Sequence, residues 1–189
     1  YAICEGPVGS EMCIRDRAAP EVENRLIMMT STTKTFNLAG MHTGNVIIPN
    51  ETLRKKFSKT MVSYGISPNS FGKHMVAAAY CQEGADWVDA LMIYIAENQR
   101  IFNSSMNSIP GVNSMELEGT YLCWVDFSNT GMQNEEVLNR VEKVAQIAIS
   151  RGATFGTGGE TFLRFNVATQ RALIFDALKR LKKAFADLQ

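Results

Sequence analysis

The apolar and polar positions in the first part of the chain predict two short strands followed by a helix. Apolar runs at residues 25–29 and 45–48 are typical of short buried strands, and Pro49 ends the second run. Asn50 is a favourable helix N-cap, and Gly65 is a favourable residue just past a helix C-terminus. Between them, apolar residues recur at helical spacing at Leu53, Phe57, Met61 and Tyr64.

Two more helices are predicted after a loop at residues 66–69. An alanine-rich stretch at residues 71–80 favours the first of them. The second is predicted over residues 85–106, where the apolar positions are Trp87, Leu91, Ile95, Ile101 and Phe102. Residues 107–114 contain a Pro-Gly pair, which favours a turn, and they are the predicted boundary between two domains.

The remaining pattern predicts a small α+β unit. Residues 120–127 and 161–167 are typical of strands. A helix closed by Gly152 is predicted between them, with its buried face at Val137, Val141, Val144 and Ala148. Thr169 is the predicted cap of a last helix, whose buried side is Leu173, Ala177, Leu178, Leu181 and Phe185. The basic residues of this helix lie toward its C-terminal end, where the helix dipole favours them.

Composition narrows the class of protein without identifying it. The 189 residues include 19 basic and 19 acidic ones, which argues against nucleic-acid or membrane binding driven by bulk charge. No apolar run approaches the length of a membrane-spanning helix. The four cysteines are spaced unlike zinc ligands, so no metal is expected, and their scatter suits a reducing cytoplasm. They are Cys4, Cys13, Cys81 and Cys123.

The N-terminal segment reads as foreign to the protein. Residues 8–17, V-G-S-E-M-C-I-R-D-R, resemble a sequencing adapter translated in frame. We therefore interpret residues 1–17 as an adapter-derived artefact, and we expect the natural protein to extend upstream of Ala18 with other residues.

Lys34 stands among hydroxyl residues in the segment M-T-S-T-T-K-T-F-N-L-A-G at residues 29–40. Ser31 and Lys34 match the S-x-x-K motif of serine β-lactamases, but the K-T-G strand of those enzymes has no counterpart at a suitable distance. A Schiff-base lysine is the second interpretation, because Ser31 and Thr33 could donate to a cofactor phosphate and Gly40 permits close backbone approach. A plain lysine in a threonine-rich turn is the third.

A family resemblance favours the second interpretation. S-T-T-K-T-F-N-L-A-G-M followed by N-V-I-I-P-N, within residues 31–50, resembles the lysine segment of fold-type I pyridoxal-phosphate (PLP) enzymes of the class I/II aminotransferase superfamily. It is most similar to the cystathionine β-lyase group that includes MalY and PatB. Further motifs follow in family order: N-S-F-G-K-H-M-V-A-A-A-Y at 69–80, Trp87, Asn98, E-G-T-Y-L-C-W-V-D-F at 118–127 and F-G-T-G-G-E-T-F-L-R-F-N-V-A-T-Q-R at 155–171. The resemblance covers residues 18–188.

The resemblance implies an α/β fold and a set of roles. Residues 18–106 would be the C-terminal part of the large PLP-binding domain with the long inter-domain helix, and residues 107–189 the small α+β domain. Lys34 would bond to PLP and act as the base at the substrate Cα. The phosphate ligands would be Ser31, Thr33 and His42, the last of which stands where classical aminotransferases carry a basic residue. Arg164 would bind the substrate carboxylate; an outward-facing strand arginine is the alternative.

Other prominent residues are given packing roles. Arg171 is interpreted as a helix-surface charge, and Cys81 and Cys123 as buried packing residues. Core or subunit-contact positions are predicted for Trp87, Trp124 and Phe127.

By resemblance the intact protein would be a cytoplasmic homodimer that acts on a small amino acid and binds neither nucleic acid nor membrane. A carbon–sulfur β-lyase releasing pyruvate, ammonia and a thiol is the first hypothesis. An aminotransferase and a non-catalytic regulatory partner-binding protein are the alternatives. The acid that pairs with the PLP ring nitrogen lies upstream of the lysine in this family, so we expect the 189-residue chain alone to bind PLP poorly.

Overall fold

The structure, a computed structural model, describes residues 20–188. The predicted adapter-derived segment at residues 1–17 lies outside the described residues. The chain divides into two compact units between Leu91 and Met92. This division falls within a long helix, 15 residues before the domain boundary predicted at residue 106. None of the described helices combines the length and the apolar character needed to cross a membrane.

Two short antiparallel strands and three helices form the first unit. Its elements are a 3-10 helix at Pro20–Arg25, strand β1 at Met28–Thr30, a 3-10 helix at Ala39–Met41, strand β2 at Asn45–Ile47, helix α1 at Glu51–Ser63, helix α2 at Ser70–Ala79 and the start of helix α3 at Gln82–Met106. Met28 pairs with Ile47 and Thr30 with Asn45. Both predicted strands and all three predicted helices are therefore confirmed, the strands being shorter than expected.

Side-chain caps fix where the helices of this unit begin. The predicted cap Asn50 accepts a hydrogen bond from the Leu53 N–H at 2.9 Å, and Asn69 accepts one from the Gly72 N–H at 2.7 Å at the start of α2. Each such cap stabilises a helix by about 1 kcal/mol. Gly65 follows the last turn of α1 with φ +65°, a left-handed conformation that glycine adopts without steric cost.

A four-stranded antiparallel sheet organises the second unit, with strand order β3-β4-β6-β5. The strands are β3 at Asn113–Ser114, β4 at Leu122–Asp126, β5 at Ser150–Arg151 and β6 at Phe162–Asn166. The helices are the rest of α3, the short α4 at Asn134–Leu138, a π-helical segment at Asn139–Val144 and α5 at Arg171–Ala184. Single 3-10 turns are found at Ser128–Thr130, Gly152–Phe155 and Ala186–Leu188.

Alternation along the two central strands separates a buried face of this sheet from a partly exposed one. Cys123 and Val125 on β4, and Leu163 and Phe165 on β6, are each at most 4% exposed. They join one core with apolar residues of the helices and loops, among them Phe102, Met106, Phe127, Val141, Leu178, Leu181 and Phe185. Full burial of such side chains stabilises the fold by about 1.5–3 kcal/mol each. The predicted core position of Phe127 is confirmed.

The helix predicted from Val137 to Ala148 is wrong in its second half. Val137 and Val141 are buried as expected, but Val144 is 58% exposed and Ala145 is fully buried instead. The reason is the π-helical segment, whose wider turn shifts the buried position by one residue. Gln146, at φ +54°, then follows the end of the helix, and Gly152 lies beyond it in the turn after β5.

Four other predicted details are corrected. The residue before α5 is Gln170, not Thr169, and the Gln170 side chain makes no capping hydrogen bond. Because the helix begins at Arg171, Leu173 faces outward at 55% exposure, whereas Leu178, Leu181 and Phe185 are buried as predicted. Cys81 is exposed in the turn between α2 and α3, while Cys123 is buried as expected. Trp87 is 47% exposed and stacks on Phe36, so it is not a core residue, and its alternative role as a subunit contact stays a prediction.

Candidate active site

Lys34 lies in a hydrogen-bonded turn that directly follows β1. The Phe36 N–H donates to the Thr32 carbonyl at 3.0 Å, and the Leu38 N–H donates to the Thr33 carbonyl at 2.8 Å. Thr32 is 3% exposed and anchors the turn, whereas Lys34 is exposed. The segment is a turn and not the helix start that an S-x-x-K nucleophile needs, so the geometry disfavours the β-lactamase interpretation.

Two of the predicted phosphate ligands are in direct contact beside this lysine. The hydroxyls of Ser31 and Thr33 lie 2.8 Å apart, and the Thr33 N–H donates to the Ser31 hydroxyl at 3.2 Å. The Ser31 hydroxyl in turn donates to the Thr43 carbonyl at 2.9 Å. A hydroxyl can rotate to donate to another acceptor, so this pair is chemically suited to an anionic oxygen.

His42 follows the 3-10 helix Ala39–Met41 and has the left-handed backbone conformation, with φ 46°. Its side chain is exposed, and its imidazole has no hydrogen-bond partner among the described residues. It is adjacent in sequence to Thr43, which receives the Ser31 hydrogen bond. A role for His42 toward phosphate stays a prediction.

The N-terminus of α2 braces the loop that carries these residues. The Asn69 amide donates to the Met41 carbonyl at 2.6 Å while its oxygen caps α2, and the Thr43 hydroxyl donates to the same carbonyl at 2.9 Å. Gly72 leaves room for this contact, because a Cβ there would lie 2.0 Å from the Thr43 hydroxyl oxygen. In the sequence, Asn69 is part of a family motif, and its position before a helix is the signal for a cap.

Arg164 lies at the middle of the sheet in the second unit. It is on β6, directly between its cross-strand partners Trp124 on β4 and Ser150 on β5. Its Nη2 donates to the Ser150 hydroxyl at 3.0 Å, and its guanidinium carbon lies 4.6 Å from the centroid of the Phe155 ring. Arg164 is half-buried on the sheet face opposite Leu163, as the predicted alternation requires. Ser150 and Phe155 were not identified from the sequence.

The interpretation of Arg171 as a helix-surface charge is wrong. Arg171 is half-buried, its Nε donates to the Asn98 side-chain oxygen at 3.0 Å, and its guanidinium lies 4.4 Å from the Tyr94 ring centroid. Asn98 is fully buried and donates to the carbonyls of Val167 and Thr169 at 3.0 Å each. This network ties the segment that follows the Arg164 strand to α3.

The predicted site residues thus fall into two groups. Ser31, Thr33, Lys34 and His42 belong to the first unit, where a single loop and its hydrogen bonds hold them, and Arg164 belongs to the second.

Comparison with known proteins places the chain in a family. The family model for aminotransferase class I and II matches residues 4–181. The chain belongs to this family. It is 34% identical over 155 residues to cystathionine beta-lyase PatB of Bacillus subtilis, a match that covers 81% of the chain and 40% of that protein. It is 30% identical over 164 residues to protein MalY of Escherichia coli, covering 85% and 40% respectively.

Solved structures confirm the fold class. Cystalysin from Treponema denticola, whose crystal structure contains a pyridoxal 5′-phosphate cofactor, aligns with a TM-score of 0.82 and 32% identity. The alignment covers 92% of this chain and 44% of cystalysin. The chain therefore spans less than half the length of these relatives. The resemblance stated from the sequence motifs, and the α/β aminotransferase-type fold it implied, are both confirmed.

Proposed function

We propose that the intact protein is a PLP-dependent carbon–sulfur β-lyase that acts on an L-cysteine-type amino acid. The observation that carries this proposal is the match to PatB, a protein named cystathionine beta-lyase. The motif resemblance, which assigns Lys34 to the cofactor lysine and Arg164 to the carboxylate-binding position, supports it. The geometry of the two sites supports it, since a lysine amine and a guanidinium are the groups such a reaction requires.

The residues around Lys34 fit a PLP cofactor. Its amine is exposed, and no described carboxylate lies within ion-pair distance of it. The hydroxyls of Ser31 and Thr33, in contact with each other one to three residues before it, would donate to the cofactor phosphate, with His42 as a further donor. When bound, PLP would supply an electron-accepting ring that stabilises negative charge at the substrate Cα.

The roles of the side chains follow from this arrangement. Arg164 would hold the substrate carboxylate by two parallel hydrogen bonds. The neutral Lys34 amine would accept the Cα proton and could return it to the departing sulfur. The Cβ–S bond breaks and the thiol leaves with that proton. Addition of one water to the remaining three-carbon unit yields pyruvate and ammonia.

The proposal is tested on the intact, PLP-loaded protein with L-cystathionine. We expect pyruvate, measured by coupling to lactate dehydrogenase, and no amino-group exchange with 2-oxoglutarate. Exchange without pyruvate would instead establish an aminotransferase. Neither product, with PLP still bound, would favour the regulatory partner-binding alternative.

Two substitutions assign the residues. Lys34→Ala should abolish the visible absorbance of lysine-bound PLP and the activity, whereas Lys59→Ala, an exposed lysine on α1, should change neither. Arg164→Gln should lower kcat/KM about 100-fold, because it removes a charge-assisted bidentate contact worth roughly 3 kcal/mol. Full activity of Lys34→Ala would refute the assignment.

The proposal includes a homodimer and a cytoplasmic location, both inferred from the family resemblance. Light scattering on the eluate of a size-exclusion column tests the first, with twice the chain mass expected.

A further inference from the structure

The guanidinium of Arg164 is held from two directions before any substrate is present. Ser150 accepts from Nη2 at 3.0 Å in the plane of the group, and the Phe155 ring covers one face at 4.6 Å. Trp124 stands edge-on to the Phe155 ring at 5.6 Å and stacks on Phe162 at 5.3 Å. One face and one edge of the guanidinium are therefore already occupied.

The ring is carried by a short glycine-rich loop, the Phe155 loop (residues 152–159). The loop is closed at its base by backbone contact: a Cβ on Gly152 would lie 2.2 Å from the Gly159 carbonyl oxygen, and a Cβ on Gly159 would lie 2.3 Å from that of Gly152. Gly156, directly after the ring, has φ +125°, which side-chain-bearing residues rarely adopt. These glycines fix the path of the loop, and with it the position of the ring.

The remaining donors of Arg164 point to one kind of ligand. Within residues 20–188, Ser150 is the only hydrogen-bond partner of the Arg164 guanidinium, so other N–H groups in the guanidinium plane remain available. A ring on one face of the group hinders approach from that face. A planar carboxylate that binds edge-on matches this geometry better than a tetrahedral anion does.

We propose that Phe155, held in place by the Phe155 loop, is a positioning residue for the substrate carboxylate: it orients the Arg164 fork so that a planar carboxylate binds edge-on. This inference rests on the proposed function of Arg164. The ring touches the guanidinium and not the reacting atoms, so its loss should weaken substrate binding and leave the chemical step intact.

The main test compares two substrates on the intact, PLP-loaded protein, S-ethyl-L-cysteine and its carboxamide. Phe155→Leu should raise KM for the carboxylate substrate about 3- to 10-fold, as expected for loss of a cation–π contact, with kcat nearly unchanged. KM for the carboxamide should not change. Phe155→Tyr should restore the wild-type KM. Phe175→Leu is the matched control, because Phe175 has the same exposure, 54% against 55%, and lies on α5.

A second substitution reaches the same contact through the backbone. Gly159→Ala should displace the Phe155 loop and reproduce the Phe155→Leu phenotype with its aromatic ring still present. Urea unfolding of Phe155→Leu, with a midpoint close to wild type, excludes general instability as the cause of its phenotype. Gly159→Ala should lower the midpoint because its Cβ would meet the Gly152 carbonyl, so its KM is measured in urea-free buffer at a temperature where circular dichroism shows the variant fully folded.

A readout independent of activity separates this inference from the proposed function. In the NMR spectrum, the Arg164 Hε signal, assigned by its loss in Arg164→Lys, should show a ring-current shift that disappears in Phe155→Leu. Titration with acetate should perturb this signal at lower concentration in wild type than in Phe155→Leu. If the proposed function failed and neither substrate reacted, the acetate titration would still decide. Equal acetate affinities, or an unchanged KM ratio between the two substrates, would overturn the inference.

Discussion

We expect Asn98→Ala to destabilise the second unit by about 3 kcal/mol. The fully buried Asn98 side chain makes three hydrogen bonds at 3.0 Å: two to the carbonyls of Val167 and Thr169, and one from the Arg171 guanidinium. Each neutral bond contributes about 1 kcal/mol and a bond to a charged group somewhat more. In the variant, water can partly replace the contact to the half-buried Arg171. We therefore expect a loss of about 3 kcal/mol in the free energy of unfolding, less than the full sum of the three bonds.

The assay is urea unfolding followed by the fluorescence of Trp124, which lies on β4 in the second unit. Trp87 belongs to the first unit, so the experiment is run in a Trp87→Phe background that leaves Trp124 as the only tryptophan. A lower urea midpoint with an unchanged m value reports lost stability, not altered compactness. The matched control is Gln99→Ala, which removes one bond, 3.0 Å, to the Thr120 carbonyl from the neighbouring position of the same helix.

The control should cost less than about 1 kcal/mol, because its single bond is near the surface. If Asn98→Ala were no more destabilising than Gln99→Ala, the buried network would not stabilise the segment that follows β6. The reasoning that Arg171 is a structural anchor, and not a surface charge, would then be wrong.

Three further predictions concern a turn and two thiols. Gly111→Ala should lower the free energy of unfolding by at least about 1 kcal/mol more than Gly131→Ala does. Both glycines have φ near +75°, but only at Gly111 would the new Cβ lie 2.3 Å from a carbonyl oxygen, that of Asn129. Equal urea midpoints of the two variants would contradict this prediction. Burial raises the pKa of the Cys123 thiol from 9.0 to about 12, whereas Cys81 is exposed. In a Cys4→Ser, Cys13→Ser background, iodoacetamide should therefore label Cys81 in the native protein and Cys123 only after unfolding. The Cys123 thiol loses its proton at a lower pH in the unfolded chain than in the folded one. The free energy of unfolding should therefore be constant with respect to this group below pH 9 and should fall as the pH rises toward 12. Cys123→Ala should lack this fall.

The parts of the fold predicted correctly depend on short-range chemistry. Asn50 caps α1 through the N–H three residues later, and Gly65 ends the same helix through its own φ. Such signals are complete within a few residues, so the sequence contains them. The error at Val144 has the opposite origin. A π-helical segment changes the period of the buried positions, and nothing in the local sequence of Asn139–Val144 indicates that change.

The candidate site shows the same division. Lys34, Ser31 and Thr33 lie within four residues, and a motif could identify them together. Asn98 and Arg171, by contrast, meet across 73 residues, so a charge at the start of a helix was taken for a surface group. Phe155 precedes Arg164 by only nine residues, yet their contact depends on the closed base of the Phe155 loop, which periodicity does not describe.

The supports of the two key side chains differ, and this difference determines which substitutions are informative. Lys34 has a fixed backbone turn but an exposed amine, which suits its proposed roles of bonding to PLP and moving a proton. Arg164 is instead held at its guanidinium by Ser150 and Phe155, so less side-chain entropy would be lost in the proposed binding of a substrate carboxylate. Because a lysine ammonium has neither the planar fork nor the flat face that these neighbours contact, Arg164→Lys preserves the charge and removes the orientation. If charge alone mattered, the kcat/KM of Arg164→Lys would be close to that of wild type. Because we propose that the sheet and the Phe155 ring orient the guanidinium, we expect its kcat/KM to fall nearly as far as that of Arg164→Gln.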